Sequence, residues 1–361
     1  MPQKQRNILD DVDSRYVKEG LLQEPVENGK VRCLTCEQRC TISPGHVGFC
    51  STRYNDNGTV KTIVYGCIAS QAANPIEKKP LFHFHPATNV FTVGSFGCNF
   101  SCPWCQNHDI SHPGGDLDAM TRAIRLGEYL APEDLIKRTV STRCQGTSIS
   151  FNEPTLMLEY SIDVFKLARE QGLYNTYVTN GYMTPEALEL LVDAGLDAMA
   201  INIKGSPEMV RRYCKADLEP TWRNAKRAKE LGVHVEIITL VIDPLNSDQE
   251  TLEAIASRVR VDLGPETPYH VTRFFPEYKS YEIGLTEPTP ISALESAARI
   301  ARDAGLQFVY TGNVPGNENE TTICPSCGKV AIRRVGYSIK VENVDEQGRC
   351  ASCQADLNVK I

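Results

Sequence analysis

Three closely spaced cysteines offer the clearest chemistry in this sequence. Cys98, Cys102 and Cys105 follow one another with the spacing C-x3-C-x2-C. Three thiolates this close together can hold three irons of a cubane iron–sulfur cluster, whereas a set of four cysteines would fill every corner. The fourth iron is then free to bind another molecule. The spacing therefore predicts an iron–sulfur centre with one open coordination position.

Two other interpretations of these cysteines fit less well. A zinc site normally takes four ligands in two pairs, and only His108 is close enough in sequence to complete this set. Disulfide bonds are disfavoured by the odd number of cysteines in the set and by the short spacing, which would strain the bridge. The chain contains fourteen cysteines, and its first residues have no apolar stretch of the signal-peptide kind. This combination predicts a cytoplasmic protein whose cysteines bind metals.

Length and composition restrict the class of protein further. The 361 residues suit two domains, or one large α/β barrel with appendages. Hydrophobic residues make up 41% of the chain and charged residues 23%, as in ordinary globular proteins. A net charge of −7 argues against a broad nucleic-acid surface, which needs clustered Lys and Arg. There is no run of about 18 apolar residues, so we expect no membrane span.

The middle of the chain alternates between strand and helix patterns. The hydrophobic patterns and their Gly and Pro boundaries predict strands at 89–94, 146–151, 174–178, 198–203, 233–242, 269–274 and 307–310. Helices are predicted between them, at 132–142, 156–171, 185–194, 207–212, 221–231, 251–261 and 291–304. Such repeats form parallel sheets with right-handed crossovers, and active sites lie at the carboxyl ends of the strands. The predicted fold is α/β, an open or partial (β/α) barrel.

The cysteine signature resembles that of radical S-adenosylmethionine (SAM) enzymes. In that superfamily the open iron of a [4Fe–4S] cluster binds SAM, and an electron from the cluster splits SAM into methionine and a 5′-deoxyadenosyl radical. The radical then abstracts a hydrogen atom from a substrate. The resemblance implies a radical SAM type of barrel and an electron donor such as flavodoxin or ferredoxin.

A closer resemblance extends over residues about 30 to 355. It is carried by the first cysteine set and by the segments 75–84, 93–100, 240–246, 273–279 and 312–316. These segments resemble the AmmeMemoRadiSam-system radical SAM enzymes, which are relatives of the pyruvate formate-lyase activating enzyme. The resemblance leaves the substrate open: a small molecule or a protein. The three separate cysteine sets divide the chain into a Cys-rich segment (1–74), a barrel (75–315) and a zinc-ribbon-like tail (316–361).

The resemblance implies roles in SAM binding for the polar residues that follow the predicted strands. Glu153, in the run Asn152-Glu153-Pro154, occupies the place of a glutamate that binds the SAM amino group. The alternative is that this run begins a helix, with Asn152 as its cap and Pro154 in the first turn. The two interpretations are compatible, because the capping residue and the SAM ligand need not be the same residue. Thr179 and Asn180 resemble the turn that lines the SAM site.

Four further residues complete the predicted cofactor site. Asn202 and Lys204 lie two residues apart at one strand end, so their side chains face the same side of the strand. Burying a lysine without an anion is costly, so the SAM carboxylate is a natural partner for Lys204. His270 lies where related activases place a site histidine, although a structural role is the alternative. Trp104 resembles the aromatic residue beside the adenine, or else covers the cluster.

One departure from the related activases affects the predicted reaction. Glycyl-radical activases usually carry aspartates where this chain has Val178 and Asn202. The loss of two carboxylates argues against a monovalent cation site there and weakens the assignment as an activase. Three functions thus stay open: a radical SAM enzyme acting on an unidentified substrate, a glycyl-radical-enzyme activase, and a non-catalytic zinc-binding or RNA-associated protein.

The remaining cysteines form two outer sets and three single residues. The tail set has the two-knuckle spacing of a zinc site and consists of Cys324, Cys327, Cys350 and Cys353. The first set is less regular and consists of Cys33, Cys36, Cys40 and Cys50. Zinc or an auxiliary [4Fe–4S] cluster would both accept those four thiolates, with zinc slightly favoured. The single residues, predicted to be ordinary buried thiols, are Cys67, Cys144 and Cys214.

Overall fold

A computed structural model describes residues 8–113, 117–314, 316 and 318–361. Residues 1–7, which contributed to the prediction that a signal peptide is absent, lie outside the described residues. So does Pro315, the predicted end of the barrel. The chain divides into two compact units. The first comprises Met1–Ala73 and Phe91–Asp197, and the second comprises Asn74–Val90 and Ala198–Ile361.

Parallel strands and helices alternate in the first unit. Its strands are β1 (Asn89–Gly94, which enters the unit at Phe91), β2 (Gly146–Ile149) and β3 (Tyr174–Thr179). They neighbour one another in this order, and β2 pairs with β3 in parallel. The main helices are α1 (Pro132–Ser141), α2 (Leu158–Glu170) and α3 (Pro185–Ala194). The carboxyl ends of β2 and β3 therefore meet at one edge of this sheet.

The local sequence explains why α3 begins and ends where predicted. The Thr184 side chain accepts a hydrogen bond from the backbone N–H of Ala187, and Pro185 occupies the first helical position. The helix ends at Gly195, whose φ of 113° is strained for residues with a Cβ.

The second unit continues the same alternation. Its strands β4 (Ala198–Asn202), β5 (His234–Val241), β6 (Tyr269–Arg273) and β7 (Val309–Gly312) pair in parallel in this order. Its main helices are α4 (Glu219–Glu230), α5 (Gln249–Arg258) and α6 (Ile291–Asp303). The predicted α/β class, with its strand and helix alternation, is confirmed.

Shorter elements complete both units. Small antiparallel sheets and hairpins are formed by Lys18–Glu19, Gln23–Pro25, Val31–Cys33, Thr41–Ile42, Arg53–Asp56, Thr59–Thr62, Cys67–Ile68, Glu128–Tyr129, Thr322–Ile323, Val330–Val335 and Ser338–Val341, and a further strand is Ser70–Pro75. Short helices and helical turns occur at Ile8–Asp10, Ser14–Tyr16, Ile76–Lys78, His108–Ser111, Leu117–Arg125, Pro154–Met157, Pro207–Met209, Val210–Cys214, Val259–Leu263, Ser280–Ile283 and Glu318–Glu320. In the described part of the chain, we find no helix with the length and apolar character needed to span a bilayer.

Each unit has its own apolar core. One cluster in the first unit packs Ile8 and Tyr16 around Ile63 and Ile124, and it includes Cys67. In the second unit, the tail strands pack on β7 through a cluster that includes Phe308, Ile332 and Leu357. The three single cysteines, Cys67, Cys144 and Cys214, are all buried, as predicted.

Candidate active site

The loop that carries the three central cysteines leaves β1 at a glycine. A Cβ atom on Gly94 would lie 2.5 Å from the carbonyl oxygen of Ser150, so only glycine allows the two backbones to come this close. Gly97, directly before Cys98, has a φ of 84°. Gly94 thus permits the close approach of the two backbones, and Gly97 lets the chain turn directly before the cysteines.

Asn152 fixes this loop from the neighbouring strand end. Its side-chain oxygen accepts from the backbone N–H of Ser95 (3.0 Å), and its amide nitrogen donates to the carbonyl oxygens of Phe96 (3.2 Å) and Gly97 (3.0 Å). The alternative that made Asn152 a helix cap is therefore wrong. The cap of the following turn is Glu153, because its side chain accepts from the backbone N–H of Thr155. Sequence reasoning missed the role of Asn152, although its place beside Glu153 was the available signal.

The Glu153 carboxylate lies at the centre of a buried hydrogen-bond network. Oε1 accepts from the backbone N–H of Thr155 (3.1 Å), from the hydroxyl of Thr155 (2.6 Å) and from the hydroxyl of Thr179 (2.6 Å). Oε2 accepts from the backbone N–H of Asn180 (2.8 Å). Thus Glu153, Thr179 and Asn180, which the sequence placed on two separate strand ends, come together.

Asn99 joins the cysteine loop to this network. Its side-chain oxygen accepts from Nδ2 of Asn180 at 2.7 Å. Asn99 directly follows Cys98, so one hydrogen bond connects the signature to the turn after β3. Among the described residues, nothing accepts a hydrogen bond from the buried Nδ2 of Asn99. Its position next to Cys98 was the sequence signal that could have identified it.

Burial shifts the pKa values of the ionisable groups in this region. Burial raises the pKa of Glu153, although the hydrogen bonds from Asn180, Thr155 and Thr179 act in the opposite direction. Burial also raises the pKa of the Cys98 thiol well above its ordinary value, and the nearby Glu153 carboxylate adds to this shift. A bound metal would favour the Cys98 thiolate, because only the thiolate is a metal ligand.

The three signature thiols are not spaced like the ligands of a single metal ion. Cys102 and Trp104 are buried, and Cys98 and Cys105 are half-buried. Within the described residues, the three sulfurs do not all lie within 4.8 Å of one another, as the ligands of a single metal ion would. A cubane binds each thiolate to a different iron, so its ligands stand farther apart.

Two of the predicted cofactor residues lie together in the second unit. Lys204 Nζ donates to the side-chain oxygen of Asn202 at 3.3 Å, so the two face the same side, as the alternation predicts. The backbone there is held by Asn246, whose amide donates to the carbonyl oxygens of Lys204 (3.2 Å) and Leu240 (2.9 Å). Lys204 as a whole is half-buried.

His270 lies in a different buried network of the second unit. Its Nε2 is 2.7 Å from Oε2 of Glu236, and Nε2 of His234 is 3.0 Å from Oε1 of the same carboxylate. The His270 ring packs against the rings of Phe82 and Tyr310, with centroid distances of 4.7 and 5.2 Å. These contacts favour the structural alternative for His270. SAM binding by His270 stays a prediction.

The tail cysteines converge on one point. The sulfurs of Cys324, Cys327, Cys350 and Cys353 all lie within 4.8 Å of one another. Cys324 and Cys353 are 3.5 Å apart, and Cys327 and Cys350 are 3.7 Å apart. A tetrahedral zinc with Zn–S bonds of about 2.3 Å requires sulfur–sulfur distances of about 3.8 Å. The four thiols therefore fit zinc.

Comparison with known proteins gives the family. Residues 92–257 match the radical SAM superfamily. A Methanocaldococcus jannaschii protein, itself named as uncharacterized, is 40% identical over 345 residues, which cover 95% of this chain and 99% of the relative. The chain belongs to the radical SAM superfamily. The predicted resemblance to this group is thereby confirmed, and the non-catalytic alternative is set aside.

Two relatives of this radical SAM protein have names that state a reaction. The pyruvate formate-lyase-activating enzyme of Clostridium pasteurianum is 24% identical over 185 residues, which cover 48% of this chain and 72% of the relative. The GTP 3′,8-cyclase of Aquifex aeolicus is 23% identical over 265 residues, covering 66% of this chain and 77% of the relative. Membership of the superfamily establishes a [4Fe–4S] cluster and SAM as the cofactors. The two names denote different reactions, so membership does not identify the substrate.

Proposed function

We propose that this radical SAM protein cleaves SAM reductively at a cluster held by Cys98, Cys102 and Cys105, and that it abstracts a hydrogen atom from a substrate. When bound and reduced, the cluster supplies the single electron that breaks the carbon–sulfur bond of SAM. The observation that carries the proposal is the hydrogen bond between Asn99 and Asn180. It links the cysteine loop to the residues that are proposed to bind SAM.

The roles of the residues in the first unit follow from their contacts. Glu153 would accept a charge-assisted hydrogen bond from the SAM ammonium. Its hydrogen bonds from Thr155, Thr179 and Asn180 keep the carboxylate in one orientation. The indole of Trp104 would exclude water from the cluster or lie beside the adenine. Excluding water matters because solvent exposure changes the potential of an iron–sulfur centre.

The proposed role of Lys204 is electrostatic. Its positively charged ammonium donates to the side chain of Asn202, and the residue is half-buried. Such a group would bind the carboxylate of SAM, and the hydrogen bond to Asn202 would hold the ammonium in position.

A SAM-cleavage assay tests the proposal. The protein would be reconstituted anaerobically with iron and sulfide, reduced with dithionite and incubated with SAM. We expect 5′-deoxyadenosine and methionine in equal amounts from the wild type and only background from Cys102→Ala. Cys144→Ala is the matched control, because Cys144 is buried but belongs to none of the cysteine sets. Background levels from fully reconstituted wild type would overturn the proposal.

A further inference from the structure

The first set of cysteines surrounds a single space in the first unit. Cys33, Cys36, Cys40 and Cys50 all line this space. Three of the four are buried, and Cys40 is half-buried. A hairpin brings the set together, because the strands Val31–Cys33 and Thr41–Ile42 pair in antiparallel fashion. The four thiols thus converge although they span 18 residues of sequence.

The spacing of the sulfurs differs from that at the tail. In the tail, four sulfurs lie within 4.8 Å of one another, as one zinc ion requires. All four residues of the first set are described, and no three of their sulfurs meet this condition. The sulfurs of Cys98, Cys102 and Cys105 do not meet it either. Wider spacing suits a cubane, in which each thiolate binds a different iron.

Two buried nitrogen atoms beside the space have no hydrogen-bond partner among the described residues. Arg53 lines the space, and its guanidinium donates to both oxygens of Glu159 at 2.8 Å. Within the described residues, however, nothing accepts from the buried Nε of Arg53, and the same holds for Nδ2 of Asn99, which also lines the space. Buried N–H groups are rarely left without acceptors. The sulfur atoms of an iron–sulfur cluster accept such hydrogen bonds.

Other donors already lie against the thiols. The backbone N–H of Phe49 donates to the sulfur of Cys40 at 3.4 Å, and the hydroxyl of Thr52 donates to that of Cys50 at 3.3 Å. Hydrogen bonds of this kind orient thiolate ligands and adjust the potential of a metal centre.

The space adjoins the loop of the Cys98 set. A Cβ on Gly97 would lie 2.7 Å from the carbonyl oxygen of Cys50. Gln38 donates from its side chain to the carbonyl oxygen of Asn99 at 2.9 Å. The residues on both sides of Cys98 therefore touch the segment that carries the first cysteine set.

We propose that Cys33, Cys36, Cys40 and Cys50 hold a second [4Fe–4S] cluster beside the Cys98 loop. Four thiolates leave no open iron, so this cluster binds neither SAM nor substrate. Its chemistry is outer-sphere transfer of one electron, received from a one-electron protein donor and passed to the cluster at Cys98, with no bond formed or broken. The electron-transfer role rests on the proposed function, whereas the presence of the cluster does not.

A variant that lacks the signature cysteines isolates the second site. Cys98→Ala, Cys102→Ala and Cys105→Ala would be combined in one chain and reconstituted anaerobically. We expect about four irons and four sulfides per chain, the number in one cubane, together with one zinc. The reduced cluster should give an EPR signal that SAM leaves unchanged. Adding Cys36→Ala should remove the iron and keep the zinc, whereas adding Cys144→Ala should remove neither.

The other outcomes contradict the proposal. If the variant contains no iron and two zinc ions per chain, then the first set is a zinc site. If it contains no iron and one zinc, the set holds no cluster. If the iron survives Cys36→Ala, it is bound elsewhere. The retained tail zinc and the circular dichroism spectrum report whether the variant is folded. Failure of SAM cleavage by the wild type would change none of these iron counts, so the two proposals fail separately.

Discussion

At the scale of single residues, two buried asparagines make nearly identical contacts in different places. Asn152 accepts one hydrogen bond and donates two to backbone carbonyls of the cysteine loop. Asn175 accepts one from Thr147 and donates two to the carbonyls of Phe165 and Gly195. Both lie in the first unit. The pair therefore separates the general cost of a lost hydrogen-bond network from a specific effect on the cluster.

We predict that Asn152→Ala loosens the cluster at Cys98 more than Asn175→Ala does. Each substitution should lower the free energy of unfolding by about 3 kcal/mol, because buried partners are left unsatisfied. Only Asn152→Ala should weaken cluster binding, by about tenfold, as changes around metal ligands commonly do. The measurement is the anaerobic rate at which a chelator removes the EPR signal that responds to SAM. Equal rates in the two variants would show that Asn152 has no specific role.

At the scale of elements, the zinc knuckles of the tail give a second prediction. Cys353 is exposed, so Cys353→Ser removes a ligand without opening a cavity. We expect zinc to fall by one ion per chain and the melting temperature to drop, because structural zinc contributes its binding energy to folding. The control is the exposed neighbour Ser352→Ala, which should keep the zinc. Unchanged zinc content in Cys353→Ser would contradict a zinc site at the tail.

The sequence predicted elements best where their boundaries have local causes. Helix α3 was predicted at its observed bounds because Pro185 and Gly195 mark its ends. The predicted helix at 207–212 was less accurate: only Pro207–Met209 is α-helical, and a π-helical turn follows at Val210–Cys214. The change of helix type depends on packing, which no local pattern reports.

The parts of the sites that could not be predicted depend on contacts between residues far apart in the sequence. The grouping of Glu153, Thr179 and Asn180 followed from the order of the strand ends. The partner of His270 did not, because Glu236 lies 34 residues away on β5. Their contact depends on the register in which His270 lies opposite Ile238. A shift of one residue would turn His270 to the other face, and a single sequence does not fix that register.

At the scale of the whole molecule, stability should depend on pH through a buried histidine. In the second unit, His83 Nδ1 lies 2.8 Å from the carbonyl oxygen of Leu357, and Nε2 lies 2.5 Å from the hydroxyl of Tyr310. Burial lowers the pKa of His83 to about 3, although the nearby charge of Glu236 acts in the opposite direction. Arg334 and His234 also disfavour a charged His83.

A second group in this network responds at lower pH. Burial alone would raise the pKa of Glu236, but the hydrogen bonds and charges of His234 and His270 lower it well below its ordinary value. A carboxylate with a lowered pKa stabilises the fold above its unfolded pKa of about 4.3. Its contribution is lost only as the pH falls below that value. Glu236 therefore adds little change in stability between pH 5 and 7.5, and a comparison of the wild type with a variant that lacks only the His83 imidazole isolates the contribution of His83 in that range.

We predict that acid destabilises the wild type more than His83→Asn. Below an unfolded pKa of about 6.5, the unfolded chain binds a proton at His83 that the folded protein does not, so stability falls by about 1.4 kcal/mol per pH unit. Asparagine keeps a donor for Leu357 and does not titrate. The variant loses the nitrogen that accepts from the Tyr310 hydroxyl, and this loss lowers its free energy of unfolding by the same amount at every pH. The difference in free energy of unfolding between the wild type and the variant should therefore shrink by about 2 kcal/mol between pH 7.5 and 5. Anaerobic denaturant unfolding at both pH values measures this difference. Parallel pH profiles would mean that His83 titrates alike in the folded and unfolded chains, and the buried network would then leave acid stability unchanged over this range.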